Sequence, residues 1–293
     1  MTGAEGLIGS AVINRLRLAG VHTRLLDIKS NCKEYCGDIA DADFVQEAVS
    51  GCDGVIHAAA LSRVCWGELQ PELCQQTNVR GVRNVVAAIE RLKSKPWLIF
   101  LSSREVYGIP AKLPVAECHL LRPVNVYGRS KVAGEALVQE AKAKGVQAYT
   151  VRLSNVYGST ADHADRVIPA FIGAALSGEA LRLDGHCSFD FTHKDDVAAA
   201  ILIIADLASR GVSLPPIHLV SGVSTTLHQL ARMIIDRVSS PSLMRNAAPR
   251  TYDVPHFQGS PELAKKLLGW HASTPLIDGL RQLVTEYRTL RQA

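Results

Sequence analysis

The stretch that decides the fold opens the chain and reads Met1-Thr2-Gly3-Ala4-Glu5-Gly6-Leu7-Ile8-Gly9, followed by a helical pattern through Leu18. Its glycines, Gly3, Gly6 and Gly9, lie three residues apart, which differs from the commonest dinucleotide-binding spacing, G-x-G-x-x-G. The spacing fits a related turn in which the backbone approaches a pyrophosphate at the N-terminus of a helix. A glycine-rich turn taken alone is also compatible with an ordinary loop.

Short apolar strands and helices alternate downstream of this turn. The predicted strands are residues 23–27, 54–59, 97–102 and 148–153, and the predicted helices are residues 41–49, 79–92 and 127–144. This alternation is typical of an α/β fold with a Rossmann-like, doubly wound parallel sheet covered by helices on both faces. It loosens after about residue 160. We therefore predict a dinucleotide-binding domain over 1–160 and a smaller α/β substrate lobe over 161–293, interwoven so that some strands return to the core.

Composition narrows the function classes. The chain has 293 residues, is 47% hydrophobic and 20% charged, and carries a net charge of +4, which suits a soluble globular protein. The charges are dispersed, so nucleic acid is not an expected partner. We expect no membrane span and no secretory signal. The seven cysteines form no C-x-x-C pair, so we expect no metal and predict reduced thiols in the cytoplasm.

Acidic and small residues at strand ends indicate a cofactor. Asp27 ends the predicted strand over residues 23–27, 18 residues after Gly9. A carboxylate at this position bonds adenosine ribose hydroxyls and repels a 2′-phosphate. No arginine follows Asp27 directly, which favours NAD over NADP. Asp38 in Gly37-Asp38-Ile39 lies near the adenine or caps a loop. The small residues of His57-Ala58-Ala59-Ala60 leave room for the cofactor or allow close helix–strand packing.

Tyr127 and Lys131 lie four residues apart, and Ser102-Ser103 ends the strand upstream. Residues i and i+4 share one helix face. A tyrosine has an unperturbed pKa of about 10, and a nearby cation lowers it. Such a phenol can take a proton from an alcohol while a hydride leaves the same carbon. The alternative is a surface lysine whose stem packs over the tyrosine ring.

Together these motifs resemble the extended short-chain dehydrogenase/reductase family, in its nucleotide-sugar epimerase/dehydratase branch. The similarity is collinear over almost the whole chain. The matching segments are residues 2–9, Asp27, 37–38, 57–60, 77–79, 102–108, Tyr127 with Lys131, 152–158, 195–197 and 268–270.

The resemblance implies that NAD is held in the N-terminal domain and a nucleoside-diphosphate sugar under the C-terminal lobe. It implies that Tyr127 is the base toward the sugar hydroxyl, that Lys131 lowers the pKa of Tyr127 and bonds the nicotinamide ribose, and that Ser103 bonds the reacting oxygen. In the epimerases of the family, NAD takes a hydride from C4 and returns it to the other face of a transient 4-keto sugar. The predicted cofactor-binding residues are Gly3, Gly6, Leu7, Ile8, Asp27, Asp38, Ile39, Ala58, Ala59, Ala60, Asn78, Ser102, Tyr127 and Lys131.

The resemblance also assigns residues to the substrate. Asn155 matches a position that contacts the diphosphate, and Arg250 and Asp253 match an Arg-x-x-Asp pair used toward the nucleotide, or form a surface salt bridge. Ser62 is a further candidate for substrate contact. Trp66 lines the sugar pocket or packs in the core.

Two helices, near residues 82–92 and 133–144, resemble the pair through which the family dimerises, so we expect a homodimer. The leading prediction is an NAD-dependent epimerase. The alternatives are a dehydratase, decarboxylase or reductase acting on the same substrate class, and a catalytically silent relative that only binds a nucleotide or a partner.

The chain departs from the family pattern in its first strand and in one arginine. The family has an apolar strand before Thr2, in the middle of the sheet. We expect either residues upstream of Met1 in the functional protein or another segment in this place, and we expect an added upstream strand to strengthen NAD binding. Phe189 stands where the family has a diphosphate-clamping arginine, and Arg182 and Arg166 are candidates to replace it.

The third departure lies in Ser103-Arg104-Glu105. The 4,6-dehydratases of the family have an acidic pair at positions 104 and 105, whereas an always-charged guanidinium such as Arg104 cannot donate a proton. Glu105 is then either a base at the sugar C5 or the ion-pair partner of Arg104.

Overall fold

The computed structural model describes residues 1–29, 36–248 and 250–292. It has the predicted α/β architecture with a parallel sheet. The strands, numbered in chain order, are β1 (Gly54–His57), β2 (Trp97–Ser103), β3 (Ala148–Leu153), β4 (Asn155–Tyr157), β5 (Leu181–Asp184), β6 (Ser188–His193), β7 (Ile217–Leu219), β8 (Ser224–Thr226) and β9 (Met244–Ala247).

Eleven α-helices accompany these strands in the described part of the chain. They are α1 (Leu7–Leu18), α2 (Ala42–Val49), α3 (Val64–Leu69), α4 (Pro71–Gln75), α5 (Gly81–Arg91), α6 (Val126–Ala143), α7 (Val167–Ser177), α8 (Lys194–Ser209), α9 (Leu227–Val238), α10 (Glu262–Leu268) and α11 (Leu276–Gln292). Within the described ranges, no helix combines the length and the apolar character needed to cross a membrane.

The main sheet has the order β1-β2-β3-β7, and all of its strands are parallel. Its strands are buried along nearly their whole length, because helices cover both faces. On one face, α1 and α8 pack together and share a core with Ile99 and Val151. On the other, α2, α5 and α6 enclose a second core that includes Leu98 and Phe100. The carboxyl ends of the strands therefore meet at a single edge.

Thr2 lies beside β1 and extends the sheet toward the N-terminal segments. It forms parallel bridges to Leu26 on one side and His57 on the other. Its N–H donates to the Ile56 carbonyl at 3.0 Å, and its own carbonyl accepts from Ala58 N–H at 3.2 Å. The glycine-rich turn that follows is thereby fixed at the carboxyl end of β1.

The predicted strand over residues 23–27 is reduced to two bridging residues. Leu26 pairs with Thr2, and Asp27 pairs with Cys36. A ladder forms only where a partner strand runs alongside, and here each residue has a single-residue partner. Cys32, one of the seven cysteines, lies outside the described residues.

The predicted helix over residues 79–92 is confirmed as α5, which starts two residues later than predicted. α5 begins at Gly81, after α4 and a π-helical turn, Gln76–Arg80. The predicted helix over 41–49 is confirmed as α2, and the Asp41 side chain caps it by accepting from the N–H groups of Asp43 and Phe44. Local polar chemistry thus sets this helix start.

The chain after residue 160 contributes to two cores. One is separate from the main sheet and is built by α7, α9 and α11 around Phe171, Leu230 and Leu283. However, β7 pairs with β3, and α8 and α10 pack on the main sheet. The interweaving agrees with the predicted organisation, while the boundary near residue 160 remains our proposal.

Candidate active site

A cleft of about 780 Å³ lies at the carboxyl ends of β1, β2 and β3. It brings together residues that are far apart in the sequence and that the motifs predicted to act together. The predicted site residues that line it are Gly3, Gly6, Leu7, Ile8, Asp27, Asp38, Ile39, Ala58, Ala59, Ala60, Ser62, Ser102, Ser103, Glu105, Tyr127, Lys131, Asn155, Arg250 and Asp253.

The glycine-rich turn forms one end of the cleft. Gly3 has φ of +67°, and a Cβ there would lie 2.6 Å from the Ala59 nitrogen. A Cβ on Gly9 would clash with the Gly3 carbonyl oxygen. Gly6 caps α1 without a side-chain hydrogen bond, and residues 6–8 line the cleft. A helix N-terminus with this open approach fits the pyrophosphate of a dinucleotide.

The Asp27 carboxylate is fixed beside this turn. Oδ2 accepts from Glu5 N–H at 3.0 Å, and Oδ1 accepts from Lys29 N–H at 2.9 Å. Asp38 caps a turn, since its Oδ1 accepts from Ala40 N–H at 2.9 Å. It also lines the cleft, and its position near the adenine stays a prediction. Both carboxylates lie at the end of the cleft next to the glycine-rich turn.

Asn78 is the predicted cofactor residue that the cleft lining does not include. Its Oδ1 accepts from Leu61 N–H at 2.7 Å, and its Nδ2 donates to the Leu61 carbonyl and to Ser130 Oγ at 3.2 and 2.9 Å. Asn78 is fully buried. Through these bonds Asn78 fixes the loop after β1, and its contact with the cofactor stays a prediction.

Tyr127 and Lys131 lie on one face of α6, as their spacing predicts. The Lys131 Nζ is 5.8 Å from the centre of the Tyr127 ring and donates to the Leu101 carbonyl at 2.8 Å. Both residues line the cleft, with Tyr127 at 8% and Lys131 at 4% exposure. The alternative of a surface lysine over a tyrosine ring is therefore excluded.

Burial governs the acidity of both groups. Burial raises the pKa of Tyr127 to about 12, while hydrogen bonding to Ser103 and the charge of Arg166 act in the opposite direction. Burial also lowers the pKa of Lys131 to about 8. The net shift of the Tyr127 pKa is therefore upward, because desolvation of the phenolate exceeds the stabilisation by nearby groups. That Lys131 lowers the pKa of Tyr127 stays a prediction.

The start of α6 holds Tyr127 in place. Asn125 Oδ1 accepts from Gly128 N–H at 2.7 Å, and a Glu68 carboxylate oxygen accepts from Val126 N–H at 2.7 Å. These bonds satisfy N–H groups that a helix leaves open at its first turn. Sequence reasoning missed Asn125, although an asparagine before an amphipathic run is a recognisable helix start.

Glu105 is the ion-pair partner of Arg104, one of the two alternatives left open by the sequence. Arg104 Nη2 lies 2.9 Å from Glu105 Oε1, and both side chains are about nine-tenths buried. The other carboxylate oxygen, Oε2, accepts from Asn125 Nδ2 at 2.8 Å. Each oxygen of Glu105 thus has one partner, and a role for Glu105 as a base at the sugar C5 stays a prediction.

A buried network supports the serines at the end of β2. Ser102 Oγ donates to Glu135 Oε1 at 2.5 Å, and Glu135 accepts two further bonds from Arg152, at 2.9 and 2.7 Å. Arg152 also donates to the Tyr107 hydroxyl at 2.7 Å. Glu135 was missed in the sequence, although it lies four residues after Lys131 on the same helix face.

The C-terminal wall of the cleft carries the predicted substrate residues. Arg250 and Asp253 line it and are paired with each other, with Nε and Oδ2 3.2 Å apart. Trp66 also lines the cleft and contacts the His163 ring edge-on, with ring centres 4.7 Å apart. Phe189, in place of a family arginine, adds an apolar patch to the same wall.

Comparisons with known proteins identify the family of the chain. The model of the NAD-dependent epimerase/dehydratase family matches residues 1–215. A UDP-glucose 4-epimerase of Streptomyces lividans is 28% identical over 304 residues, covering 93% of this chain and 91% of the relative. A UDP-glucuronic acid decarboxylase of Arabidopsis thaliana is 25% identical, covering 98% of this chain and 68% of the relative.

Solved structures also resemble the whole fold. The structure of MoeE5 in complex with UDP-glucose and NAD has a TM-score of 0.90 and 26% sequence identity, covering 99% of this chain and 98% of that one. The glycine cradle, the fixed Asp27 and the Tyr127–Lys131 pair occur together in a chain that the family model matches over most of its length. The protein therefore belongs to the NAD-dependent epimerase/dehydratase family.

Proposed function

We propose that the protein is an NAD-dependent 4-epimerase of a nucleoside-diphosphate sugar. The observation that carries this proposal is the placement of Ser103, Tyr127 and Lys131 in one cleft with the glycine cradle. The relatives named for UDP-glucose support UDP as the nucleotide.

The cleft fits NAD on the evidence of its own residues. The turn around Gly3 and Gly9 admits no Cβ, and the open N-terminus of α1 suits a pyrophosphate. Asp27 would hold the adenosine ribose, and the small residues 58–60 leave room beyond β1. Bound NAD supplies a hydride acceptor and donor for the sugar carbon.

The residues of the chain control the proton and the orientation of the sugar. The phenolate form of Tyr127 takes the proton from the C4 hydroxyl as the carbon is oxidised and returns it after the sugar has turned. Ser103 holds the same oxygen by a hydrogen bond. The buried ammonium of Lys131 stabilises negative charge on the phenol, and the position of Tyr127 in the first turn of α6 acts in the same direction.

The environment of Glu105 favours epimerisation over dehydration or decarboxylation. A dehydratase needs an acid at position 104 and a free base at position 105. Here Arg104 cannot donate a proton, and both oxygens of Glu105 have partners. The intact set of Ser103, Tyr127 and Lys131 opposes a catalytically silent role.

We also propose a homodimer and a cytoplasmic location. The dimer rests on the similarity of two helices to the dimerisation pair of the family, and light scattering coupled to size-exclusion chromatography tests it. The location rests on the cysteine pattern and is tested by cell fractionation.

Incubation of the purified protein and NAD with UDP-glucose tests the proposed activity, with UDP-glucuronic acid and dTDP-glucose as further substrates. NMR should show the C4 epimer of at least one sugar, with no net change in NAD. A 4-keto-6-deoxy product or release of CO₂ would instead identify a dehydratase or a decarboxylase.

A further inference from the structure

Arg104 has an unusual environment on the substrate side of the cleft. Its side chain is 10% exposed and lines the cleft. Its guanidinium lies over the Phe189 ring, with Cζ 4.8 Å from the ring centre, and 5.6 Å from the centre of the Phe257 ring. The side chain thus extends from the end of β2 to the wall formed by β6.

The hydrogen bonds of this guanidinium are incomplete. Nη2 is bonded to Glu105, but Nη1 is buried and has no hydrogen-bond partner among the described residues. The second oxygen of Glu105 accepts from Asn125 at 2.8 Å and makes no bond to Nη1. A buried donor without a partner is costly, so an oxygen from a bound ligand would stabilise this arrangement.

The guanidinium can serve an anionic ligand. Its N–H groups lie in its own plane, where they match phosphate and carboxylate oxygens. β6, which carries Phe189, pairs with β4, which carries Asn155. Arg104 and the residues that we assign to the diphosphate and the nucleotide, Asn155 and Arg250, therefore line one cleft.

We propose that Arg104 binds the diphosphate of the nucleotide sugar through Nη1, with Phe189 as the platform that orients it. This inference rests on the proposed function, since it assigns a further substrate-binding residue to the same cleft. It also gives a physical role to Phe189, whose ring supports the cation through its face. Arg166, by comparison, is occupied by Asp162 and the Val156 carbonyl, both at 3.4 Å.

Calorimetric titration of the NAD-loaded protein with UDP, uridine, UDP-glucose and UDP-glucuronic acid tests the assignment. Arg104→Gln should weaken UDP and both UDP-sugars by ~10- to 100-fold, as for loss of one charged hydrogen bond, and leave uridine within ~3-fold. Arg104→Lys keeps the charge and should show the same selectivity with a smaller loss. Arg210 forms an exposed ion pair with Asp206 outside the cleft, so Arg210→Gln is the control and should bind all four ligands normally. Thermal melts establish that each variant is folded.

Equal affinity of wild type and Arg104→Gln for UDP would overturn the assignment, while the proposed function would stand. An effect limited to UDP-glucuronic acid would overturn it too, because the guanidinium would then bind a sugar carboxylate. Equal weakening of uridine and UDP would indicate a general disturbance of the site and likewise count against the proposal. Wild-type protein that binds neither UDP nor a UDP-sugar would overturn the proposed function and this inference together.

Discussion

Replacing Lys131 with methionine should make the protein more stable, although it removes a proposed catalytic group. The Lys131 side chain is buried, and burial lowers its pKa from 10.5 to about 8. A difference of this size between the folded and unfolded states corresponds to ~3 kcal/mol of destabilisation at pH 7. The hydrogen bond to the Leu101 carbonyl offsets ~1 kcal/mol of this. The net expected gain for Lys131→Met is therefore ~2 kcal/mol.

The pH dependence of this gain follows from the two pKa values. Below pH 8 the lysine is protonated in both states, so the full cost of burying the charge is present. Between pH 8 and 10.5 the unfolded state binds the proton more tightly, so the stability of the wild type rises with pH. The advantage of Lys131→Met should shrink over this window, and the two proteins should be about equally stable near pH 10.

Urea denaturation of both proteins at pH 7 and pH 10 measures these differences. Lys142→Met is the matched control, since the Lys142 Nζ also donates to a backbone carbonyl, that of Leu214 at 2.9 Å, from a partly exposed position. The free energy of unfolding of this control should be lower than that of the wild type by up to ~1 kcal/mol at either pH. The reasoning is refuted if Lys131→Met is less stable than wild type at pH 7, or if its advantage is the same at both pH values.

Two further predictions concern the cradle and the buried ion pair. Gly9→Ala should weaken NAD binding at least ~10-fold in a titration, because the added Cβ clashes with the Gly3 carbonyl oxygen. Gly173→Ala in α7 is the control and should bind NAD normally, because a Cβ there meets open space. Equal NAD affinities of the two variants would contradict the assigned cradle. Glu135→Gln should lower the free energy of unfolding by ~3–5 kcal/mol, because it leaves the Arg152 cation buried without its partner. In the same urea experiment the exposed ion pair of Lys144 with Glu90 is the control, and Lys144→Met should change the free energy of unfolding by less than ~1 kcal/mol. A loss as small as this for Glu135→Gln would show that the buried pair is not essential.

The parts of the fold that the sequence predicted are those with a strong periodic signal. The strands at 97–103 and 148–153 are mainly apolar, and the helix after Asn125 carries its functional residues at i and i+4. The weaker strand signal failed where pairing decides the outcome. The region of residues 23–27 has strand-like composition but few pairing partners. The helix predicted over 79–92 is confirmed as α5, and only its first two residues belong to the π-helical turn.

Most of the candidate site could be predicted because its motifs are local. Gly3, Asp27 and Tyr127 each belong to a short pattern whose chemistry is readable. The sequence could not show how the charges combine, since that depends on burial and on distant partners. Only the structure shows that Glu105 pairs with Arg104 and that the Asn78 amide is bonded to Leu61 and Ser130.

The central claim is that the Tyr127 hydroxyl carries the proton for oxidation and reduction at the sugar carbon. Tyr127→Phe removes only that oxygen from a buried ring. The most direct measurement is the rate of epimer formation from UDP-glucose by this variant, alongside its affinity for the same sugar nucleotide. The account predicts a fall in turnover of ~10²- to 10⁴-fold with UDP-glucose affinity within ~3-fold of wild type. Unchanged turnover in the phenylalanine variant would contradict it.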